Sequence, residues 1–465
     1  MGTSPNPDRQ AKPEEPLHIR TSQILRVKKI WIMPLTLATI FVALMSVIYI
    51  GSVVNPKGHL HDLPVVLVNE DTGATVNGHQ MDLGAELIKA LTTTPGVTRR
   101  LALTTTILPD ADVIMNRADA YAALVIPASF TRSVLTEVGA AAPSDNVPAT
   151  ATATLEENSR LGSIGVNLAA GVLTPAIAKI SPAIASKLAP LETAAAKSNP
   201  VNAAALSSPV SMTTVTYRPL PDHTALGLSA FYAALLAIMS GFVGATLINN
   251  SVDAALGYGS TEAGPRRRQV RPVRINRRRT LLVKWALALA AAPLLTGILL
   301  LISTVALHMH APNFLLLWLL LAFASLMIAT GTLSLLAAFG SIGQLLAMIL
   351  LVYLSLASSG GTIPIQALPG FFQTVGHVEP LRQVLAGSRA ILYFDARGDA
   401  GLTHSLILIA SELVFWVALG LAATWWYDHK KLYRIAPDIL TYVEDSIQQR
   451  LHPPSTAETP TEMNG

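Results

Sequence analysis

The sequence predicts an α-helical polytopic membrane protein with six transmembrane helices, plus an α/β (α+β) extracytoplasmic domain between helices 1 and 2. Three observations predict it: apolar runs of bilayer length, basic residues sorted to alternate connections, and one long interval of ordinary polarity. The chain of 465 residues is 51% hydrophobic and only 13% charged, which is too apolar for a water-soluble protein of that length. A net charge of +4 excludes a general nucleic-acid binder. The absence of cysteine excludes disulfides, thiol nucleophiles and thiolate metal sites.

A helix needs about 20 apolar residues to cross a bilayer, because each backbone amide must be bonded within the segment. The runs that meet this are 30–54, 223–249, 281–307, 314–339, 344–358 and 402–426, the fourth and fifth forming a hairpin around Gly340-Ser341-Ile342-Gly343. Lys and Arg resist translocation. They cluster before the first run (Arg9, Lys12, Arg20, Arg26, Lys28, Lys29), between the second and third, and after the sixth (Lys430, Lys431, Arg434). In a six-span protein all three clusters share one side, which is expected to be the cytoplasm, with both termini there and the protein in the plasma or inner membrane. The tail 1–29 is expected to be disordered, then basic; His18–Lys29 reads either as an interfacial helix or as an ordinary flank. Residues 427–465 form the second tail.

Residues 55–222 carry 14 acidic and 11 basic side chains. Leu63–Val68 reads as a buried strand ended by Asn69-Glu70-Asp71-Thr72-Gly73, with further strands at Tyr121–Ile126, Ala149–Leu155 and Ser211–Tyr217. Helical spacing occurs over Gly84–Leu91 and Ala128–Val138. Ser159–Leu188 is apolar enough to pass for a span. An extra crossing would put the basic loop on the wrong side, and Pro175 and Pro182 predict a pair of helices covering a sheet or lying on the membrane. Ala189–Pro209 reads as a linker.

The succession of a span, Leu63-Pro64-Val65-Val66-Leu67-Val68-Asn69-Glu70-Asp71, Tyr121-Ala122-Ala123-Leu124-Val125-Ile126-Pro127-Ala128-Ser129-Phe130, Glu157-Asn158 and five further spans resembles the membrane subunits of ABC-2-type exporters. The Val-Asn-Glu-Asp-Thr-Gly-Ala form is most similar to the branch of the YhgE/Pip phage-infection and nitrosoguanidine-resistance-like proteins. Ala367 to Phe372, with Pro369, Phe371 and Phe372, followed by Glu379, Pro380, Arg382 and Arg389, is similar to that group's outer re-entrant hairpin, here within 359–400. The resemblance implies a homodimeric permease served by a separate ABC ATPase that docks on the loop between the second and third spans. The chain has no phosphate-cradling Gly-x-x-x-x-Gly-Lys-Ser/Thr loop, so ATP hydrolysis would be supplied in trans.

Individual residues have competing readings. The loop 250–280 holds Asp253, Arg266, Arg267, Arg268, Arg271, Arg274, Arg277, Arg278 and Arg279, a docking or lipid-binding surface or a topogenic stop. Asn249, Asn250 and Asp253 start a coupling element or cap a helix. Glu412 is the only acid well inside a span and is expected to pair with a hydroxyl or Gln344, or to serve as a proton or substrate-polarity site. The helical part of the outer segment is either a buried re-entrant hairpin or a surface helix with Glu379 and Arg382 paired across one turn. His308 and His310 are not expected to bind metal. Asp110 with Asp112 and Glu156 with Glu157 read as surface carboxylates, no cofactor is implied, and the chain is read as a non-enzyme. The functions that follow are export of a hydrophobic or amphipathic substrate (drug, lipid or envelope component), envelope interaction or phage reception without transport, or proton-coupled export. Membrane lipids are expected partners, and nucleic acid is not.

Overall fold

The computed structural model describes residues 28–76, 79–137, 151–191, 209–259, 261–263, 266–268, 270, 272–273, 275–432 and 434. The tail before Lys28, the linker after Leu191, and Arg271 and Arg274 therefore lie outside the described residues. Among the described residues seven helices are long and apolar enough to cross a membrane, and the protein is a multi-pass helical membrane protein. Helix α1, Lys28–Val53, is one uninterrupted apolar helix and forms a unit by itself.

The interval after α1 folds into an α/β domain. Its strands are β1 (Leu63–Asn69), β2 (Ala74–Val76), β3 (His79–Met81), β4 (Leu101–Thr106), β5 (Ala122–Ile126), β6 (Thr152–Glu157) and β7 (Ser211–Thr216). Five of them form a sheet of order β4-β1-β5-β6-β7, in which only β5 and β6 are antiparallel, while β2 and β3 pair in a small hairpin. Parallel neighbours need crossovers, supplied here by α2 (Leu83–Thr93), α3 (Leu108–Asn116), and α5 (Ser163–Leu188), with α4 (Phe130–Glu137) after β5. Alternation along β1 sends Val65 and Leu67 to the face covered by α2, α4 and α5, and Val66 and Val68 to the face covered by Ala111 and Met115 of α3. The sequence reading missed β4 and α3, since Leu101-Ala-Leu-Thr-Thr-Thr has little apolar content and α3 starts on Leu108-Pro109-Asp110.

One expectation is overturned. Pro175 and Pro182 do not divide Ser163–Leu188 into two helices, and α5 runs through both as a single helix on the sheet. An internal proline costs roughly 3 kcal/mol. Leu168, Val172, Leu173, Ile177 and Ile184 all bury on the sheet, each worth about 1.5–3 kcal/mol, and their sum exceeds the two penalties.

The helical bundle consists of α6 (Ser229–Ala255), α7 (Arg277–Ala306, its last turn π-helical), α8 (Phe314–Phe339), α9 (Ser341–Ser358), α10 (Gly370–Gly376), α11 (Pro380–Tyr393) and α12 (Leu402–His429). Helix α8 is the hub, packing against α6, α7, α9, α11 and α12. Small residues permit this. A Cβ on Gly241 of α6 would stand 2.5 Å from the Ser325 carbonyl of α8, and one on Gly331 of α8 would stand 3.0 Å from the Trp416 ring of α12. The turn between α8 and α9 is tighter than expected: only Gly340, at φ +62°, is non-helical, and Gly343 already packs on the Leu335 carbonyl. Helices α6 and α7 also extend further than their apolar runs, so Asn249, Asn250 and Asp253 sit within α6 rather than capping it, and Arg277, Arg278 and Arg279 form the first turn of α7.

The Asn69-Glu70-Asp71-Thr72-Gly73 turn is a latch. Asn69 Oδ1 accepts from the Asp71 amide; Asp71 Oδ1 accepts from the Gly73 and Thr131 amides, and Asp71 Oδ2 from the Gly84 amide and the Thr131 hydroxyl. One carboxylate thereby joins β1 to the starts of α2 and α4. Asp71→Ala should destabilise the α/β domain by about 3 kcal/mol, because several donors lose a charged acceptor together. Limited proteolysis of the purified protein should then show faster cleavage within 63–137, with Asp71→Asn intermediate.

Candidate functional site

Two ends of the bundle gather polar residues. At the end facing the α/β domain, α11 begins on Pro380, with Glu379 as its N-cap: Glu379 Oε1 accepts from the Leu381 amide at 2.7 Å and Oε2 from the Arg382 amide at 3.1 Å. Twelve of the fourteen residues of α11 are buried, against α6, α8 and α12. Helix α11 is therefore not a surface helix, which would leave one face exposed. The Glu379–Arg382 ion pair is not formed. Glu379 is consumed by capping, and Arg382 instead donates to the Gly376 carbonyl. Of the aromatic pair after Pro369, Phe372 is buried and Phe371 exposed.

Helices α11 and α12 run antiparallel, with Gly387 against Ser405 and Gly401 against Ala386. That register carries Glu379 down α12 to the level of Glu412. Glu412 lies about 15 Å along α12 from Leu402, at 1.5 Å per residue. Among the described residues its side chain has no hydrogen-bond partner, and Gln344, at the other end of the bundle, does not reach it. Sequence reasoning singled out both acids and could not bring them together, since their proximity depends on α11 folding back along α12. Burial pushes the Glu379 carboxyl up to about 7, despite the opposing Leu381 and Arg382 amides and the Arg382 charge.

The other end of α11 is fastened to the α/β domain through Arg160, a residue the sequence reading passed over. Its Nε donates to Asn158 Oδ1 at 3.2 Å, Nη1 to the Tyr393 carbonyl at 3.2 Å and Nη2 to Asn116 Oδ1 at 3.3 Å. The guanidinium lies 4.3 Å from the Phe394 ring centre and 5.3 Å from that of Tyr217. Asn158, of the quoted Glu157-Asn158 pair, is fully buried and also donates to the Met115 and Ala120 carbonyls. Tyr393 in turn bonds Ser229 at the start of α6. Arg389 donates to the Gly361 carbonyl, and its Nε has no partner among the described residues.

At the opposite, basic end, Lys284 of α7 donates to Asn249 Oδ1 and Asp253 Oδ1, both at 2.7 Å, and Arg434 grips Asp253 with two bonds at 2.7 and 2.9 Å. Arg277 donates to the Leu432 carbonyl, and Arg278 and Arg279 are exposed. Arg266–Arg268 form one strand of a short hairpin with Thr261–Ala263. The predicted loop surface thus splits, with Asp253 and Arg277 drawn into the bundle end. Among the described residues no three His, Asp or Glu side chains gather as a metal site.

Two outcomes are expected. A raised carboxyl pKa favours folding in the protonated form, so the Glu379 contribution is full below pH 4.5 and is lost as pH rises through about 7. Thermal unfolding in detergent should therefore show stability falling over that interval by about 3 kcal/mol, with the fall abolished by Glu379→Gln. Arg160→Lys should not rescue Arg160→Met, since an ammonium cannot bridge Asn158, Asn116 and the Tyr393 carbonyl in one plane. Both variants should lower the unfolding temperature of the purified protein in detergent.

Compared with curated proteins, the chain matches none. A family model covers residues 33–419, from within α1 through most of α12 and so over every element described above. The chain belongs to the family described as protein of unknown function (DUF3533).

Proposed function

We propose that this chain is the membrane subunit of an ABC-2-like exporter, moving a hydrophobic or amphipathic substrate with ATP hydrolysis supplied by a separate ATPase. On this reading six helices span the plasma or inner membrane, α5 stays with the sheet, the basic end faces the cytoplasm and the α/β domain lies outside. The observation that carries it is the α10–α11 hairpin, whose α11 arm is buried among α6, α8 and α12 and fastened through Arg160 and Tyr393 to the α/β domain. Such a hairpin can transmit a movement of the spans to the domain, as an outer gate requires. The apolar, lipid-length surfaces of α7 and α12 suit a substrate that enters sideways from the bilayer. A homodimer would enclose the path.

A proton-coupled exporter is the second reading, favoured by the placement of Glu379 opposite Glu412. Acids inside a bundle are costly and tend to mark ion or proton paths.

Proteoliposomes loaded with a fluorescent amphiphile separate these. Nucleotide-dependent efflux in the presence of a co-purified ATPase is the expected result. Efflux driven by a pH gradient without nucleotide, and lost in Glu412→Gln at normal folded yield, would transfer the assignment to proton coupling. If neither drive produces efflux and no ATPase co-purifies, the chain is better read as an envelope-interaction protein acting through its α/β domain.

A further inference from the structure

The basic end of the bundle encloses a cavity of about 670 Å³ between the ends of α6, α7, α8 and α12. One wall is cationic, formed by Arg277, Lys284 and Arg434, and the opposite wall is apolar, formed by Leu333, Leu336 and Phe339 at the end of α8. Among the described residues no carboxylate lines it. Asp253 lies behind the cationic wall, bonded to Lys284 and Arg434, and Asp428 is taken by the Arg277 and Arg278 amides at the start of α7. Among the described residues that line it or bond to the lining, three cations against these two carboxylates leave one positive charge uncompensated.

Donor capacity points the same way. The Lys284 ammonium, only 5% exposed, has three N–H donors and spends two, on Asn249 and Asp253. Arg277 spends its Nε on the Leu432 carbonyl, and among the described residues its two amino groups have no acceptor. The guanidinium is held 4.8 Å from the Tyr427 ring centre, while Tyr427 is anchored to the Ala338 carbonyl at 2.6 Å. Arg434 lies 4.9 Å from the Tyr258 ring centre, and Tyr258 is tied to the Val273 carbonyl. The cations are thus positioned before any ligand arrives, at one end of four helices long and apolar enough to cross a membrane.

We infer that this cavity is a binding site for the phosphodiester headgroup of an anionic phospholipid, with Arg277 and Lys284 holding the phosphate and the α8 wall receiving the first carbons of the tail. A single phosphodiester balances the one surplus charge. The inference stands apart from transport, since a lipid held there can be a fixed structural partner or a cargo.

Full-length protein in neutral detergent, titrated with short-chain phosphatidylglycerol, phosphatidylcholine and glycerol 3-phosphate, tests it. Phosphatidylglycerol should bind about ten-fold more tightly than either other probe, and Arg277→Gln should weaken it about ten-fold, the loss of one charged hydrogen-bonding group. Because Lys284 also neutralises Asp253, Lys284→Gln is combined with Asp253→Asn and should give a similar loss without leaving a bare buried carboxylate. Arg279→Gln, outside the cavity, should bind as the unchanged protein does. Glycerol 3-phosphate binding as tightly as the lipid would overturn the lipid assignment in favour of a soluble phosphate ester. Equal affinities for the two lipids, or for the unchanged protein and the Arg277→Gln variant, would overturn the site.

Discussion

The membrane part depends on how closely helices can approach α8. Lipid supplies no hydrophobic drive between helices that are already in an apolar solvent, so association rests on van der Waals contact and a few bonds across helix faces. Gly241 beside the Ser325 carbonyl, Gly331 beside Trp416, and Gly420 beside Ser334 place backbones at distances where any side chain would intrude. Ser334 adds a bond to the Trp416 carbonyl. With α6, α7 and α12 seated on α8, the space that remains at the domain end is filled by α11, and the helix ends at the opposite end form the walls of the basic cavity.

Placing α11 there has a consequence for charge. A helix that starts inside a bundle exposes its first amides to an apolar environment, and Glu379 satisfies two of them. The cost is a carboxyl group buried next to α12, at the level of Glu412. At its other end α11 emerges beneath the α/β domain, where Arg160 uses all three kinds of its nitrogen and two aromatic rings to join β6, α3 and the α11 terminus. One helix therefore links a buried carboxyl group to the five-stranded sheet.

Much of this was legible in the residues. The apolar runs located the long helices, and the Pro369 to Arg389 motif marked a segment unlike a span. Boundaries shifted where polar residues continued a helix past its apolar run, as at Asn249 to Ala255 and Arg277 to Thr280, because lysine, arginine and asparagine are tolerated at the headgroup level. The two prolines of α5 misled because proline penalties are local, whereas the burial that offsets them depends on a sheet assembled from distant strands. Arg160 gave no signal: a lone arginine between a strand and an apolar helix looks like surface until Asn116, Asn158 and Tyr393 surround it.

What the sequence by itself determined was the membrane class, the order of the elements and the segregation of basic residues, all of which follow from bilayer thickness and charge transfer and need no partner to be known. Only the tertiary structure decided which polar groups meet: Arg160 with Tyr393, and Lys284 and Arg434 with Asp253 beside Arg277. Those encounters join residues far apart in the chain, and their geometry is set by helix packing around α8, a property of side-chain shape that no local pattern carries.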